Sequence, residues 1–288
     1  MAASNRVIVD GAALARELRE EAAQRFAAFS SQRPDPPSVA IVQIGANPAS
    51  ALYTKQLVRA FALVGVTVDL HDLPGDVSLD EAAGLIRTLS SGRSPHGIQI
   101  QTPLPPQIPI ARLLEGLAPH KDLDGAHPLN AGTLAQGSPG IVPATPRAGM
   151  EILLRHGVRL AGARAVVVGR SATVGRPMAL MLLQRDATVT ICHSRTENLA
   201  RVVRWADVVA VAIGRPGLIK ADMIQPGAAV IDFGTNVVDG KTVGDVEPEA
   251  RARASLFTPV PGGVGPVTTA MLLHNALSLY ERSLEDHV

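Results

Sequence analysis

The chain has 288 residues and a formal net charge of +1 at pH 7, which suits two domains and excludes the strongly basic surface of a nucleic-acid-binding protein. Its single cysteine, Cys192, excludes an intramolecular disulfide framework and is typical of a reducing compartment. No apolar run approaches the length of a membrane span, and the first residues lack a secretory signal pattern, so we expect a cytoplasmic α/β enzyme with no membrane partner. Cys192 ends an apolar stretch and is interpreted as a core residue, not a nucleophile.

Strands and helices alternate in the first half of the chain, which predicts a parallel sheet with right-handed crossovers. The predicted elements are a helix capped by Asp10 and ending near Phe29, a strand over 38–45, a helix from Asn47-Pro48-Ala49-Ser50 to Gly65, a strand over 66–70, a helix over 78–89 and a strand over 97–101. Residues 117–146 then lose any regular pattern, and structureless stretches of that length are usually functional.

The second half is predicted to form a Rossmann-type unit. A helix near 147–156 leads into strands near 165–168, 187–192, 207–213 and 228–232. Asp239-Gly240 predicts a β-hairpin. A short helix is expected at Glu247-Pro248, a strand at Leu256-Phe257, and a terminal helix after 262–266 that ends near Arg282.

The stretch from Gly169 to Met178 has the arrangement of a phosphate-binding loop. Gly169 and Gly175 bracket a tight loop after a buried strand, and in such a unit the N–H groups at the helix start point at an anion. The usual dinucleotide fingerprint is not met, because Ser171 stands at its second glycine. The loop alone therefore allows two interpretations, a phosphate site and an ordinary strand–helix turn.

The end of the next strand favours a nucleotide site and indicates which nucleotide. An NAD site usually has an acidic residue there for the ribose 2′-hydroxyl. This sequence has Ser194 and Arg195 instead, and Arg170 lies in the preceding loop. Because a 2′-phosphate is bound by cationic, forked donors, the pattern favours NADP over NAD. The alternative is that both arginines are ordinary solvated side chains.

Three further stretches follow predicted strands, at the edge where open α/β sheets bind ligands. Gln101 ends a strand, where its amide can bind a ligand or cap the strand. Asp122 and Asp124 face opposite ways if the chain is extended, so one can pair with Lys121 or cap a turn while the other faces a ligand. A carboxylate suits the adjacent N–H donors of a 2-aminopyrimidinone ring. The Gly262-Gly263 loop can approach a flat ring closely or simply begin the terminal helix.

Several stretches in a fixed order along the whole chain then carry a resemblance to a known family. They are Val42-Gln43-Ile44-Gly45 with Asn47-Pro48-Ala49-Ser50, Gln101 to Pro105, Lys121 to Pro128, Pro143-Ala144-Thr145-Pro146, Gly169 to Met178, Val230 to Asn236, Gly244-Asp245-Val246 and Pro259 to Thr268. With these stretches the chain resembles the bifunctional methylenetetrahydrofolate dehydrogenase/cyclohydrolase family, and their number and order make chance similarity negligible.

The resemblance implies an N-terminal α/β folate domain, a Rossmann-type NADP-binding domain, a cleft between them and a homodimer. The folate domain would comprise residues 1–146 and 267–288, and the NADP domain residues 147–266. Cofactor binding would fall to residues of the second domain, namely Gly169, Arg170, Ser171, Ser194 and Thr235, with Arg195 added from its place at the strand end. Tyr53, Gln101 and Asp124 would bind folate and act in catalysis, the Pro261-Gly262-Gly263 turn would contact folate, and no metal is implied.

One departure from the family pattern bears on the reaction. The pattern has a lysine four residues after the tyrosine of the second helix, and this chain has Leu57 there. Lys55 and Arg59 lie about 200° and 240° around the helix from Tyr53, at ~100° per residue, so neither should share its face. Thr102 and Ala144 replace a usual leucine and a usual cysteine.

The departure favours one half of a two-step reaction. Oxidation of 5,10-methylenetetrahydrofolate needs mainly alignment of two bound rings, whereas hydrolysis of the methenyl product needs a tunable acid/base. Since leucine cannot exchange a proton, the first interpretation is an NADP-dependent dehydrogenase with weak or absent cyclohydrolase activity. The alternatives are a fully bifunctional enzyme in which Lys55 or another group substitutes, a non-catalytic paralogue that binds folate or nucleotide, and a dehydrogenase for a modified or non-folate substrate.

Overall fold

The structure, a computed structural model, describes residues 6–30, 36–45 and 48–285 of the chain. Asn47, expected to open the second helix, lies outside the described residues. The chain divides into two compact units: unit 1 is Met1–Arg16 with Pro143–Thr268, and unit 2 is Glu17–Val142 with Thr269–Val288. The main sheet of each unit is parallel and alternates with helices, so the expected α/β class is confirmed.

The helices and strands are numbered in chain order. They are β1 (Val7–Ile8), α1 (Gly11–Ser30), β2 (Ser38–Ile44), α2 (Pro48–Leu63), β3 (Thr67–Leu73), α3 (Leu79–Ser91), β4 (Gly97–Ile100), α4 (Ile110–Leu114), α5 (Pro128–Ala135), α6 (Ala144–Arg155), β5 (Arg164–Val168), α7 (Gly175–Leu183), β6 (Thr188–Cys192), α8 (Leu199–Val203), β7 (Val208–Val211), β8 (Ala229–Asp232), β9 (Asn236–Val238), β10 (Lys241–Val243), β11 (Leu256–Phe257) and α9 (Val264–Glu285).

Unit 2 contains a three-stranded sheet in the order β3-β2-β4. Helix α3, which connects β3 to β4, begins where the sequence predicts it, and Ser78 Oγ caps it by accepting the N–H of Glu81 at 3.2 Å. Asp10 Oδ1 likewise accepts the N–H of Ala13 at 2.9 Å and so begins α1, as predicted. One face of β2 and β4 packs against α3 in an aliphatic cluster that includes Ile98 and Ile100.

Unit 1 contains a six-stranded sheet in the order β1-β11-β8-β7-β5-β6. Every residue of β7 and β8 is buried, as expected for central parallel strands covered on both faces. Cys192 is fully buried in the core beside Val166 and Val209, and burial raises the pKa of its thiol, so its interpretation as a core residue is confirmed. The predicted hairpin is confirmed as β9 and β10, which are antiparallel and joined by Asp239 and Gly240, both at positive φ.

The expectation that residues 117–146 lack regular structure is wrong. This segment contains a 3-10 turn at Pro119–Lys121 and the helix α5. Pro128 occupies the first turn of α5, and His127 caps it by accepting the N–H of Leu129 at 3.0 Å. Proline at this position loses no hydrogen bond, because a first-turn N–H has no partner within the helix.

The described part of the chain contains no helix with the length and apolar character of a membrane span. It also contains no cluster of three or more His, Cys, Asp or Glu side chains placed to hold a metal ion.

Candidate functional site

Asp124 lies half-buried in a segment that runs beside β4 of unit 2. Ile98 and Asp122 form a parallel bridge, and the N–H of Leu123 donates to the carbonyl of Ile98 at 3.0 Å. The Asp124 carboxyl accepts a hydrogen bond from the side chain of Gln99. Burial and the neighbouring charge of Asp122 raise the pKa of Asp124 to about 7, although the bond from Gln99 opposes the rise. Asp124 therefore exchanges its proton near neutral pH.

Asp122 has the structural role that the sequence left open. Its Oδ2 accepts the N–H of His127 at 2.7 Å and the side-chain amide of Asn130 at 2.8 Å, so it caps the turn that leads into α5. Lys121 does not pair with either aspartate: its ammonium donates to the carbonyls of Leu89 and Gly92 at the end of α3. This amine is buried, which lowers its pKa, and both bonds hold it away from solvent.

Helix α2 presents Tyr53 to the same carboxyl. The Tyr53 phenol hydrogen-bonds with Thr269 of α9, and burial together with the charge of Asp124 raises the phenol pKa above its ordinary range. Tyr53 therefore stays protonated and can donate a hydrogen bond. Leu57, one turn further along, is 0% exposed, whereas Lys55 lies exposed on the helix.

Gln101 follows β4 and is buried, as expected for an amide held rigidly at the end of a strand. Its Nε2 donates to the carbonyl of Thr102 at 3.3 Å, and that carbonyl also accepts a bond from Ser50 of α2 at 3.4 Å. Sequence reasoning missed Gln99, although the two-residue period of a strand places it on the face of Gln101. It also missed Thr269, for which the sequence carries no signal.

In unit 1, Gly169 and Gly175 are required by close backbone contacts. Gly169 has φ +131°, and a Cβ on it would collide with the carbonyl oxygen of Ala212 after β7. A Cβ on Gly175 would collide with the carbonyl of Gly169 itself. The loop therefore folds tightly over the end of β5, the geometry in which backbone can approach a phosphate.

The donors available in this loop differ from the expected ones. Ser171 Oγ accepts the N–H groups of Val174 and Gly175, each at 3.2 Å, and the Ser171 carbonyl accepts that of Arg176 at 3.1 Å. With Pro177 lacking an N–H, the first turn of α7 is thus satisfied internally. The described residues offer no partner to the N–H groups of 170–173, which remain available to an anion.

Basic and hydroxyl side chains border this loop at the end of β6. Val168 pairs with Cys192, so the residues that follow β5 and β6 emerge side by side. The turn after β6 is closed by Thr196 Oγ1, which accepts the N–H of His193 at 2.8 Å. Arg170, Ser194 and Arg195 are all exposed. The structure thus places two guanidinium groups and a hydroxyl at one edge of the sheet.

Two buried carboxylates organise the loops after β7 and β8. Asp245 accepts the successive N–H groups of Ile213, Gly214 and Arg215 at 2.7, 3.0 and 2.8 Å. Asp232 accepts the N–H of Gly234 at 2.8 Å and that of Val246 at 2.9 Å, and burial raises its pKa to about 6. Thr235 follows this network and is exposed at the same edge.

The two halves of the chain match two domain profiles of one family. Residues 9–124 match the tetrahydrofolate dehydrogenase/cyclohydrolase catalytic domain, and residues 143–284 match the NAD(P)-binding domain of the same family. The chain belongs to the tetrahydrofolate dehydrogenase/cyclohydrolase family. The resemblance read from the sequence is therefore confirmed.

Relatives in this family are similar over nearly their full length. The bifunctional protein FolD of Chloroflexus aurantiacus is 51% identical over 273 residues, which cover 94% of this chain and 96% of the relative. The crystal structure of the bifunctional FolD of Campylobacter jejuni has a TM-score of 0.94 at 39% identity and covers 96% of this chain and 99% of its own. The Trypanosoma brucei FolD, solved with NADP and an inhibitor, has a TM-score of 0.92 at 38% identity and covers 97% and 98%.

Within this family member, the sequence-predicted residues fall into both units. Unit 2 holds Tyr53, Gln101 and Asp124. Unit 1 holds the nucleotide candidates together with the Pro261-Gly262-Gly263 turn. That turn has a packing role of its own, since the Gly262 carbonyl accepts the N–H of Gly11 at 2.9 Å and a Cβ on Gly11 would collide with it.

Proposed function

We propose that the chain oxidises 5,10-methylenetetrahydrofolate to 5,10-methenyltetrahydrofolate with NADP, and that its cyclohydrolase activity is weak or absent. The observation that carries the second part is Leu57. It is 0% exposed at the position where the family pattern has a lysine. A buried aliphatic side chain beside Tyr53 can pack but cannot transfer a proton.

The oxidation requires little proton chemistry from the protein. NADP, when bound, accepts a hydride from the methylene carbon of the folate, and alignment of the two rings supplies most of the rate. Asp124 would orient the pterin through paired hydrogen bonds, and the 170–173 loop N–H groups with Arg170, Ser194, Arg195 and Thr235 would hold the nucleotide. Ser171 would stiffen the loop by the bonds it already makes.

The hydrolysis requires a group that moves protons while water adds to the methenyl carbon. Unit 2 has only two lysines, Lys55 and Lys121. The Lys121 amine is buried and donates to two carbonyls, so it is committed to the end of α3. Lys55 is exposed, two residues from Tyr53 and therefore off its face of α2.

The alternative proposal is a fully bifunctional enzyme that yields 10-formyltetrahydrofolate. Two observations favour it. The relative from Chloroflexus aurantiacus is named bifunctional, and the Asp124 carboxyl has a pKa of about 7, which suits a general base. In the bifunctional alternative, Asp124 or Lys55 transfers the protons that the lysine of the family pattern would otherwise transfer.

The proposal also covers the limits of the two domains, the oligomeric state and the cellular location. We place the folate domain at residues 1–146 and 267–288 and the NADP domain at 147–266, in a cytoplasmic homodimer. The compact units divide the chain differently at the N-terminus, because β1 pairs with β11 of unit 1. Limited proteolysis of the full chain tests the domain limits, and light scattering tests the homodimer.

A stopped assay with 5,10-methylenetetrahydrofolate and NADP tests the reaction. The products are separated so that methenyl- and 10-formyltetrahydrofolate are quantified independently, and protein-free samples give the spontaneous hydrolysis. We expect methenyl product to accumulate and 10-formyl product to form at the spontaneous rate. Rapid 10-formyl formation would select the bifunctional alternative, and the Lys55→Ala variant would then show whether Lys55 is responsible. No NADP reduction at all would contradict the dehydrogenase proposal.

A further inference from the structure

The two faces of β4 have different surroundings. Ile98 and Ile100 point into the aliphatic cluster under α3. Gly97, Gln99 and Gln101 alternate with them and so share the opposite face. A Cβ on Gly97 would lie 3.2 Å from the Leu279 side chain and 3.4 Å from that of Leu123, so α9 and the segment before Asp124 cover this face. Gln99 and Gln101 are both buried on this face, and Gln99 lies beside Asp124.

Both glutamines carry a buried oxygen that lacks a hydrogen-bond donor. Gln99 is 4% exposed and Gln101 is 8% exposed, and within the described residues neither Oε1 has a partner. Gln43 of β2 shows the usual arrangement: it is 7% exposed, its Nε2 donates to Asp72 at 3.2 Å, and its Oε1 accepts from Thr54 at 2.9 Å. A buried acceptor without a donor is costly, so these oxygens are set to accept from a ligand.

The amide nitrogen of Gln99 orients the Asp124 carboxyl. The hydrogen bond from Gln99 favours the ionised form of Asp124, which can only accept, so Gln99 presents its NH₂ group to Asp124 and its oxygen elsewhere. The charged or titratable groups of the described residues that act on Asp124 are Asp122 and Tyr53, and no cation is among them. With leucine at position 57, a neutral amide is the donor that orients this carboxyl.

We propose that Gln99 is a further substrate-positioning residue of the folate site, which holds Asp124 through its nitrogen and accepts an N–H of the pterin ring through its oxygen, beside that of Gln101. The inference rests on the proposed folate substrate. A carboxylate and two amide oxygens are all acceptors, and the ligand that satisfies them must therefore be rich in donors. A reduced 2-aminopterin meets this demand through its ring N–H groups and its exocyclic amine.

The test is calorimetric titration of the full chain with tetrahydrofolate, under anaerobic conditions, for the unmutated protein, Gln99→Leu and the control Gln43→Leu. We expect Gln99→Leu to weaken tetrahydrofolate binding about tenfold to a hundredfold, as for the loss of hydrogen bonds to a charged or buried polar group, and to leave the Kd for NADP unchanged. Its melting temperature without ligand should change little, because removal of the unsatisfied oxygen offsets loss of the hydrogen bond to Asp124. Gln43→Leu breaks a satisfied network, so it should melt at lower temperature and bind tetrahydrofolate as before.

A residue that merely fills space would behave in the opposite way. If Gln99→Leu melts at lower temperature and binds tetrahydrofolate normally, the inference is overturned. A second variant, Gln99→Glu, keeps the oxygen and removes the donor. Two facing carboxyls then share a proton, so binding should weaken between pH 6 and pH 8 more steeply than in the unmutated protein. A profile identical to that of the unmutated protein overturns the donor role. If the unmutated protein does not bind tetrahydrofolate, the proposed function itself fails.

Discussion

Replacing Asp124 with asparagine should stabilise the unliganded protein, and the gain should grow with pH. The Asp124 pKa is about 7 in the folded state, against an ordinary value of 3.8. Between these values the folded protein keeps a proton that the unfolded chain has released, so stability falls as pH rises through this window. Below 3.8 both states are protonated, and the variant should show no gain from this source.

The size of the effect follows from the pKa difference. About three pKa units at ~1.4 kcal/mol each give an upper limit of about 4 kcal/mol above pH 7. Asp124 is half-buried, so water screens part of its charge, and we expect about half of that limit. The same carboxyl is proposed to bind folate, so this cost in stability would be retained for function.

Urea unfolding followed by far-UV circular dichroism, at pH 5, 6, 7 and 8, measures the difference in unfolding free energy between the variant and the unmutated protein. Asp232 also titrates in this range, but it is present in both proteins and its contribution cancels. Asp76→Asn removes an exposed carboxylate and serves as the matched control for the loss of one negative charge. A flat difference for Asp124→Asn, or one that shrinks as pH rises, would refute the reasoning.

Three further results are expected. Leu57→Lys should lower the melting temperature in calorimetry, because it places an amine in a fully buried site, and should partly restore methenyl hydrolysis through a lysine whose pKa is lowered by burial; unchanged hydrolysis in a folded variant would count against this. NADP should be preferred to NAD, and Arg170→Ala should reduce this preference, measured as the ratio of kcat/KM for NADP to that for NAD, by the equivalent of about 1–3 kcal/mol. Equal kcat/KM values for the two cofactors in the unmutated protein would contradict the assignment. Asp124→Ala should abolish tetrahydrofolate binding and spare NADP binding, while Asp122→Ala should mainly destabilise the fold; calorimetric titration showing the larger folate defect in Asp122→Ala would reverse the two roles.

The regular elements that local patterns specify could be predicted from the sequence. The buried strands β2, β5 and β8 carry β-branched runs, and α1 and α3 begin at the caps that Asp10 and Ser78 provide. The two-residue strand β1 could not be predicted, because it exists only by pairing with β11, about 250 residues later in the chain. The short helix α4 contains too few residues to show a periodic pattern.

The candidate site, too, could be predicted from the sequence only in part. The resemblance supplied Tyr53, Gln101 and Asp124, whereas the environment of these residues depends on contacts between distant parts of the chain. The partners of Lys121 are the carbonyls of Leu89 and Gly92, and nothing near Lys121 in the sequence points to them. Gln99 could have been predicted from the sequence, because a strand that places Gln101 at the site also places Gln99 on the same face.

The return of the chain to unit 2 has a consequence for synthesis on the ribosome. Asn275 donates its side-chain amide to the carbonyls of Leu123 and Val142, at 2.9 and 3.0 Å, and these two carbonyls have left the ribosome long before Asn275 is made. Unit 1 is likewise completed late, because β1 (Val7 and Ile8) can pair only after Leu256 and Phe257 of β11 have been made. Neither unit can therefore finish folding as a nascent N-terminal domain. Both should mature almost together once α9 has been made, and a chain truncated before α9 should remain exposed to proteases and chaperones.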